Sequence, residues 1–244
     1  MNNIHVFENR DQLSDFFARD LSEKINAKSG NEAFSIALSG GSTPKHIFQY
    51  LSSHYNKSIN WEKVHFFWGD ERCVPPDDKE SNFRMTKENL IKNIPIPENN
   101  IFRIKGENPP ESEAKEYEKT IRKNIPSFNG IPVFDYVMLG LGDDGHTVSI
   151  FPDQIHLFDL ENLTAVATHP HSGQKRITIT GQLINNARNI AFLVTGKAKA
   201  EMVKTILEKK NGWQNLPASK VQPASGKLLF FVDKEAAALL THES

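Results

Sequence analysis

The sequence predicts an α/β fold, a mostly parallel β-sheet with helices on both faces. Three observations carry this. Short apolar runs rich in aromatic and branched residues recur along the chain, among them Phe34-Ser-Ile-Ala-Leu38, Val64-His-Phe-Phe-Trp68, Ile190-Ala-Phe-Leu-Val194 and Leu228-Leu-Phe-Phe-Val232. Runs of that kind are strands buried on both sides. Stretches with apolar residues three and four apart alternate with them, which is helical spacing. Several runs end in glycine, where an α/β chain turns from strand to helix and places its ligands. No linker-like stretch divides the 244 residues, so a single domain over 1–244 is expected.

In order, residues 4–7 read as a short strand. Residues 11–28 read as a helix with Leu13, Phe16, Phe17, Leu21 and Ile25 on one face, stopped by Ser29-Gly-Asn31. The strand at 34–38 runs into Ser39-Gly-Gly-Ser-Thr-Pro44. There Pro44 suits the start of a helix and Thr43 its cap. The strand at 64–68 ends in Gly69-Asp-Glu-Arg72. Ser81 caps a helix to about Ile91, residues 101–104 read as a short strand, and Ala114, Tyr117, Ile121 and Ile125 define a helix from near Pro110. Residues 133–139 are a buried strand. Residues 165–168 and 176–180 read as strands, the second alternating apolar and polar. Leu183, Ile184 and Ala187 fall on a helix, as do Met202, Val203, Ile206 and Leu207, with Gly212 closing the latter. Leu216-Pro-Ala-Ser219 is a loop, and Asp233 reads as the cap of a terminal helix.

Composition excludes several classes. Hydrophobic residues make up 38% and charged residues 24%, a globular balance. A net charge of −1 gives no basic surface for nucleic acid or an anionic membrane. No apolar run approaches the ~20 residues that span a bilayer. No basic segment followed by an apolar one opens the chain as a secretory leader would. The lone Cys73 rules out an intrachain disulfide and fits a reducing compartment. The expectation is a cytoplasmic protein without nucleic-acid or membrane partners.

Chemistry gathers at the glycine-rich strand ends. After the 133–139 strand, Gly140, Gly142 and Gly145 enclose Asp143, Asp144 and His146. The plainer reading is a tight turn with solvated aspartates. Gly40, Gly41, Ser42 and Thr43 place backbone N–H groups, two hydroxyls and the positive end of a helix in one spot, an anion site most often used for phosphate. The plainer alternative is a simple strand-to-helix turn. Asp70 and Glu71 are candidate acid–base groups and Arg72 a candidate anion binder, against a capped turn with a surface ion pair. Lys197 and Lys199 begin a helix, where the dipole opposes cations; a bound anion or solvent exposure accounts for them. His169 and His171 flank Pro170 with no Cys or carboxylate at metal-site spacing, so they read as loop histidines. Cys73 as a nucleophile competes with the inert role usual for a lone thiol. Ser39, Ser42 and Ser149 lie in no G-x-S-x-G elbow and receive no covalent role.

Taken together and in order, Leu38-Ser-Gly-Gly-Ser-Thr-Pro44, Gly69-Asp-Glu-Arg72 with Val74-Pro75 and Ser81-Asn82, Gly140-Leu-Gly-Asp-Asp-Gly-His-Thr147 with Phe151-Pro152, Arg176-Ile-Thr178, Gly196 with Lys199-Ala200, and Leu216-Pro-Ala with Pro223 span nearly the whole chain. They resemble the lactonase side of the glucosamine-6-phosphate isomerase/6-phosphogluconolactonase superfamily. The resemblance implies a Rossmann-like sheet, no metal and no redox cofactor. It also implies hydrolysis of the sugar-phosphate lactone 6-phospho-D-glucono-1,5-lactone to 6-phosphogluconate in the oxidative pentose phosphate pathway. His146 is then the base that activates water, Asp144 the group that fixes its tautomer, and Asp70 a group that positions water or sugar hydroxyls. The phosphate falls to Gly40, Gly41, Ser42 and Thr43 with Arg72. Arg176 and Lys199 join it by the family pattern. The sister deaminases follow their Asp-Glu with an aromatic residue and carry a glutamate five residues after the histidine. This chain has Arg72 and Phe151 there, and a phenyl ring passes no proton. A non-catalytic sugar-phosphate sensor is the other alternative, but no spare helix-turn-helix accompanies the α/β pattern.

Overall fold

The buried runs become strands. A computed structural model describes residues 3–30 and 32–241. It begins with β1 (Ile4–Phe7), α1 (Arg10–Asn26), β2 (Phe34–Leu38), α2 (Ser42–His54), β3 (Val64–Trp68), β4 (Asp70–Arg72), α3 (Asn82–Asn89) and α4 (Pro110–Asn124). A small hairpin, β5 (Ser127–Phe128) and β6 (Ile131–Pro132), precedes β7 (Tyr136–Leu139). Then follow β8 (Thr164–Thr168), β9 (Lys175–Ile179), α5 (Gly181–Asn185), β10 (Asn189–Val194), α6 (Ala200–Leu207) and β11 (Lys227–Asp233). Of the stop expected after α1, Asn31 lies outside the described residues.

Six strands form the central sheet in the order β1-β11-β10-β7-β2-β3, and every pairing is parallel. All residues of β2 and β7 are buried. Successive side chains point to opposite faces, so both faces of the sheet are covered, as the apolar runs require. Phe17 of α1, Phe48 of α2, Phe66 of β3 and Phe192 of β10 belong to one contiguous core. Burying each contributes about 1.5–3 kcal/mol. From β2 the chain goes outward to β3, while from β7 it goes the other way to β10 and β11. The carboxyl ends of β2 and β7 therefore flank the point where strand order reverses, and the loops beyond them open a crevice.

A second sheet, β4-β9-β8, is antiparallel. The alternating stretch at 176–180 is thus a strand outside the parallel sheet. Its polar alternation suits a sheet with one covered face, and β8 reaches it by a short turn. Gly69 joins the two sheets: its N–H donates to Leu38 O and its carbonyl accepts from Ile179 N, both at 2.8 Å. This carries β4 across the carboxyl edge of the parallel strands.

Four local expectations give way. Residues 101–104 make only one bridge, Ile101 to Phe66, because the chain merely grazes the edge strand β3. The segment after β11 is a series of turns rather than a helix. Asp233 does cap it, accepting from Ala236 N at 2.8 Å, but the same carboxylate also takes Gly196 N at 3.0 Å. Helix α6 ends at Leu207, and Gly212 instead opens a short 3-10 turn over Trp213–Asn215. Finally, α2 starts at Ser42 with Gly41 as its cap, so Thr43 lies inside the first turn.

Glu71 ties these parts together. It is 2% exposed. One carboxylate oxygen accepts from Arg72 N (2.8 Å) and Asn82 N (2.7 Å), the other from Phe83 N (2.7 Å) and Ser81 Oγ (3.0 Å). The carboxylate thus satisfies first-turn donors of α3, where a negative charge is favoured, while Ser81 caps Arg84 N as its sequence position predicts. Glu71→Ala leaves these donors buried without an acceptor. A loss of about 3 kcal/mol in urea unfolding is expected, and a loss below 1 kcal/mol would show that water replaces the carboxylate.

Candidate active site

A cavity of about 310 Å³ opens at the crevice. Among the site residues expected from sequence, Gly40, Gly41, Ser42, Thr43, Asp70, Arg72, His146, Arg176 and Lys199 line it. Asp144 stands just behind, on His146. One wall is the start of α2. Gly41 has φ 105°, which the left-handed half of φ space allows only glycine without strain. That turn starts the helix two residues sooner than a Thr43 cap would, and it leaves the N–H groups of Ser42 and Thr43 in the first turn, where no helical carbonyl reaches them. The Thr43 hydroxyl is instead engaged with Thr195 Oγ1 at 2.7 Å, which ties the loop to the end of β10.

The second wall is cationic. Arg72 and Arg176 are directly opposed across the β4–β9 ladder, and like charges so placed repel. The Nε of each is buried and has no hydrogen-bond partner among the described residues. Arg72 gives one Nη1 bond to Glu80 O at 2.5 Å. Burial and the neighbouring Arg72 charge lower the pKa of Arg176, whose guanidinium lies over the Phe151 ring at 5.6 Å. Two guanidiniums with spare buried donors beside a helix N-terminus are suited to a phosphate-like anion. Lys199 lines the same cavity, yet its ammonium is held by Asp143 Oδ1 at 2.5 Å.

The third wall is the acidic turn. Gly142 N donates to His146 O (2.9 Å) and Gly145 N to Gly142 O (3.0 Å), which closes it tightly. The Leu216 loop backs the turn, with Ala218 N donating to Gly145 O at 3.0 Å. His146 Nδ1 lies 2.5 Å from Asp144 Oδ1, and the His146 N–H meets the same oxygen at 3.1 Å. Burial alone raises the Asp144 carboxyl. The ring hydrogen bond, the His146 charge and the backbone donors outweigh it and hold the pKa at about 2. An ionised carboxylate only accepts, so Nδ1 carries a proton, and in the neutral form of the ring Nε2 presents the lone pair. A Cβ on Gly142 would stand 2.1 Å from His146 Nδ1 and 2.6 Å from Asp144 Oδ1, so the pair occupies the space that glycine leaves. Val148, also on the cavity, has φ 48°, a strained state for a branched residue of the kind that gathers at functional sites.

Asp70 is 5% exposed. Ser149 Oγ donates to its Oδ2 at 2.6 Å and Asn82 Nδ2 to its Oδ1 at 3.3 Å, so the carboxylate is fixed but retains accepting capacity toward the cavity. Asn82, Ser149, Thr195 and Asp143 make contacts at the cavity to which sequence reasoning gave no role. Asn82 had a local signal in its place directly after the Ser81 cap, and Asp143 in its place within the glycine-rich acidic turn. Cys73 is half-buried, and burial followed by the Glu71 charge pushes its thiol up to about 11, which opposes a nucleophilic role. His169 and His171 sit at the turn between β8 and β9, where His169 Nδ1 accepts from the backbone N–H of His171 and Ser172 at 3.4 and 3.2 Å. Among the described residues, no three His, Cys, Asp or Glu side chains converge as a metal site would require, and no helix is long and apolar enough to cross a membrane.

The model of the family Glucosamine-6-phosphate isomerases/6-phosphogluconolactonase matches residues 8–230. The chain is 46% identical to the 6-phosphogluconolactonase of Haemophilus influenzae over 211 residues, 86% of this chain and 89% of that protein. It is 42% identical to that of Treponema pallidum over 202 residues, 83% of each. The solved 6-phosphogluconolactonase of Trypanosoma brucei superposes with a TM-score of 0.86 at 33% identity, covering 98% of both chains.

The Asp144–His146 pair makes a pH-dependent contribution whose sign is fixed. The folded carboxyl, at about 2, lies below the ordinary unfolded value of ~3.9. The stabilisation is therefore fully present above ~4 and is lost as pH falls through 2. The difference in unfolding free energy between wild type and Asp144→Asn should shrink between pH 4 and pH 2, measured by urea titration at each pH. A difference that does not change over that window would show that the pair does not hold the carboxyl down.

Proposed function

This chain belongs to the glucosamine-6-phosphate isomerase/6-phosphogluconolactonase family, and we propose that it hydrolyses 6-phospho-D-glucono-1,5-lactone to 6-phospho-D-gluconate, a step of the oxidative pentose phosphate pathway. The observation that carries the reading is the pairing of an anion wall with a base. Two opposed guanidiniums with buried, unpartnered Nε groups share one cavity with a histidine whose Nδ1 is bonded to a carboxylate.

The substrate's phosphate takes the N–H groups of the Gly40-Gly41-Ser42-Thr43 turn together with Arg72, Arg176 and Lys199. Binding at this remote dianion holds the lactone carbonyl near the histidine, a positioning effect. Asp70, steadied by Ser149 and Asn82, accepts from sugar hydroxyls or the attacking water. His146 Nε2 takes a proton from water as its oxygen attacks C1, forming a tetrahedral oxyanion. When the C1–O5 bond breaks, the ring oxygen leaves with the proton returned by His146, and the new carboxylic acid loses the second proton of the water to solvent, leaving a carboxylate in place of the ester. Asp144 stabilises the imidazolium between these steps.

The deaminase reading is disfavoured by Phe151. Its ring centroid lies 4.8 Å from that of His146, at the position where the sister enzymes carry a glutamate for ring opening. A lactone needs no such relay, because its carbonyl is already present. The lone Cys73 fits a cytoplasmic setting.

The deciding experiment is lactone hydrolysis coupled to 6-phosphogluconate dehydrogenase, against the spontaneous rate. Turnover no faster than that background would overturn the proposal. His146→Asn should lower kcat by roughly 10²–10⁴-fold, since it keeps a hydrogen bond but accepts no proton. A variant that keeps most of its kcat would limit His146 to closing the turn. Arg176→Ala should act mainly on KM, and glucono-1,5-lactone without its phosphate should be a poor substrate. Equal kcat/KM for the two lactones would remove the anion wall from substrate choice.

A further inference from the structure

The cations of the anion wall are not equivalent. Among the described residues Arg72 and Arg176 keep buried Nε donors without partners, whereas the Lys199 ammonium is already bonded to Asp143 Oδ1 at 2.5 Å. That pair joins the turn after β7 to the segment after β10, and both of its residues line the cavity. Lys199 is also the cap residue of α6, at the positive end of the helix, where a cation is unfavourable unless an anion accompanies it. Asp143 supplies that anion. We propose that Asp143 is an electrostatic latch, competing with the phosphate of substrate and product for the Lys199 ammonium. The inference rests on the phosphate site argued above.

The burial of the two partners decides which of them moves. The Lys199 side chain is 28% exposed and that of Asp143 is 75% exposed. The carboxylate turns outward into water with little desolvation to reverse, while the ammonium stays in the cavity wall. The exchange needs no loop opening. The backbone around Asp143 is held by the Gly142–His146 and Gly145–Gly142 hydrogen bonds, so a side-chain rotation suffices. The adjacent Asp144 cannot take the same part, because its carboxylate is committed to His146. The latch is weak by construction, since exposed ion pairs contribute little. A dianion facing two arginines displaces it. Hydrolysis then adds a carboxylate to the bound molecule, and Asp143 returning to Lys199 takes one of the cations that hold the product.

The latch is tested by titration calorimetry of inorganic phosphate and of 6-phosphogluconate with wild type, Asp143→Asn, Lys199→Ala and the double variant. Asp143→Asn should bind both anions about two- to fivefold more tightly, the range set by one exposed ion pair. A gain of affinity does not arise from damage to the fold. In the Lys199→Ala background the same substitution should change nothing. An equal gain in both backgrounds would mean that Asp143 acts only through its general negative field, and unchanged or weaker binding by Asp143→Asn would remove the latch altogether; either result overturns the proposal. Because anion binding is read directly, a preparation that shows the expected cycle but no lactone turnover would refute the proposed reaction and leave the latch standing.

Discussion

The position of Asp70 and Arg72 in the cavity depends on where Glu71 sends its carboxylate. Strand β4 is three residues long, and successive side chains in a strand face opposite ways. Glu71 points into the protein to collect its four donors, and so Asp70 and Arg72 face the cavity. A slip of one residue would exchange these roles, turning the guanidinium and the aspartate away from the cavity and the glutamate toward it. The slip is prevented less by β4 itself than by α3, whose first-turn N–H groups have no other acceptor. The same anchoring sets Arg72 opposite Arg176. A stable strand pairing thus imposes a charge repulsion that an anion relieves. Structure and recognition share one constraint.

Phe151 shows how an apolar residue shapes a polar site. Its ring contacts His146 and also carries the Arg176 guanidinium. It keeps the cation near the anion wall through the negative face of its ring. It also fills the space next to the base with a group that neither gives nor takes a proton. Buried to 1% exposure, it excludes water from that side of the imidazole. Water can then approach the imidazole only from the cavity side.

Much of this was legible in the sequence where the signal is local. The buried runs at 34–38, 64–68 and 190–194, the Ser81 cap and the glycine-rich strand ends each state their structure within a few residues, and they lie where expected. The parallel sheet followed from them. What was not legible depends on distant partners. Ser149 meets Asp70 across 79 positions and Thr43 meets Thr195 across 152; no periodicity encodes such pairs. The separate antiparallel sheet was missed because a strand's alternation does not name its neighbour. The terminal helix failed for a different reason. Asp233 gives a true capping signal, but of residues 234–241 only Ala236 is buried, so no apolar face repays the ordering of a helix there.

The order of strands in the sheet also has a consequence in time. β1 is made before the other ten strands, yet among the described residues its ladder is with β11 alone, where Ile4 lies beside Phe230. During synthesis it has no strand to join until more than two hundred further residues have been added, a delay of roughly 10–40 s at ordinary elongation rates. By then β2, β3, β4, β7, β9 and β10, which carry the loops of the cavity, are already available to pair. The nascent protein can therefore assemble the walls of its site before its sheet is complete. The docking of β1 onto β11 closes the six-stranded sheet last.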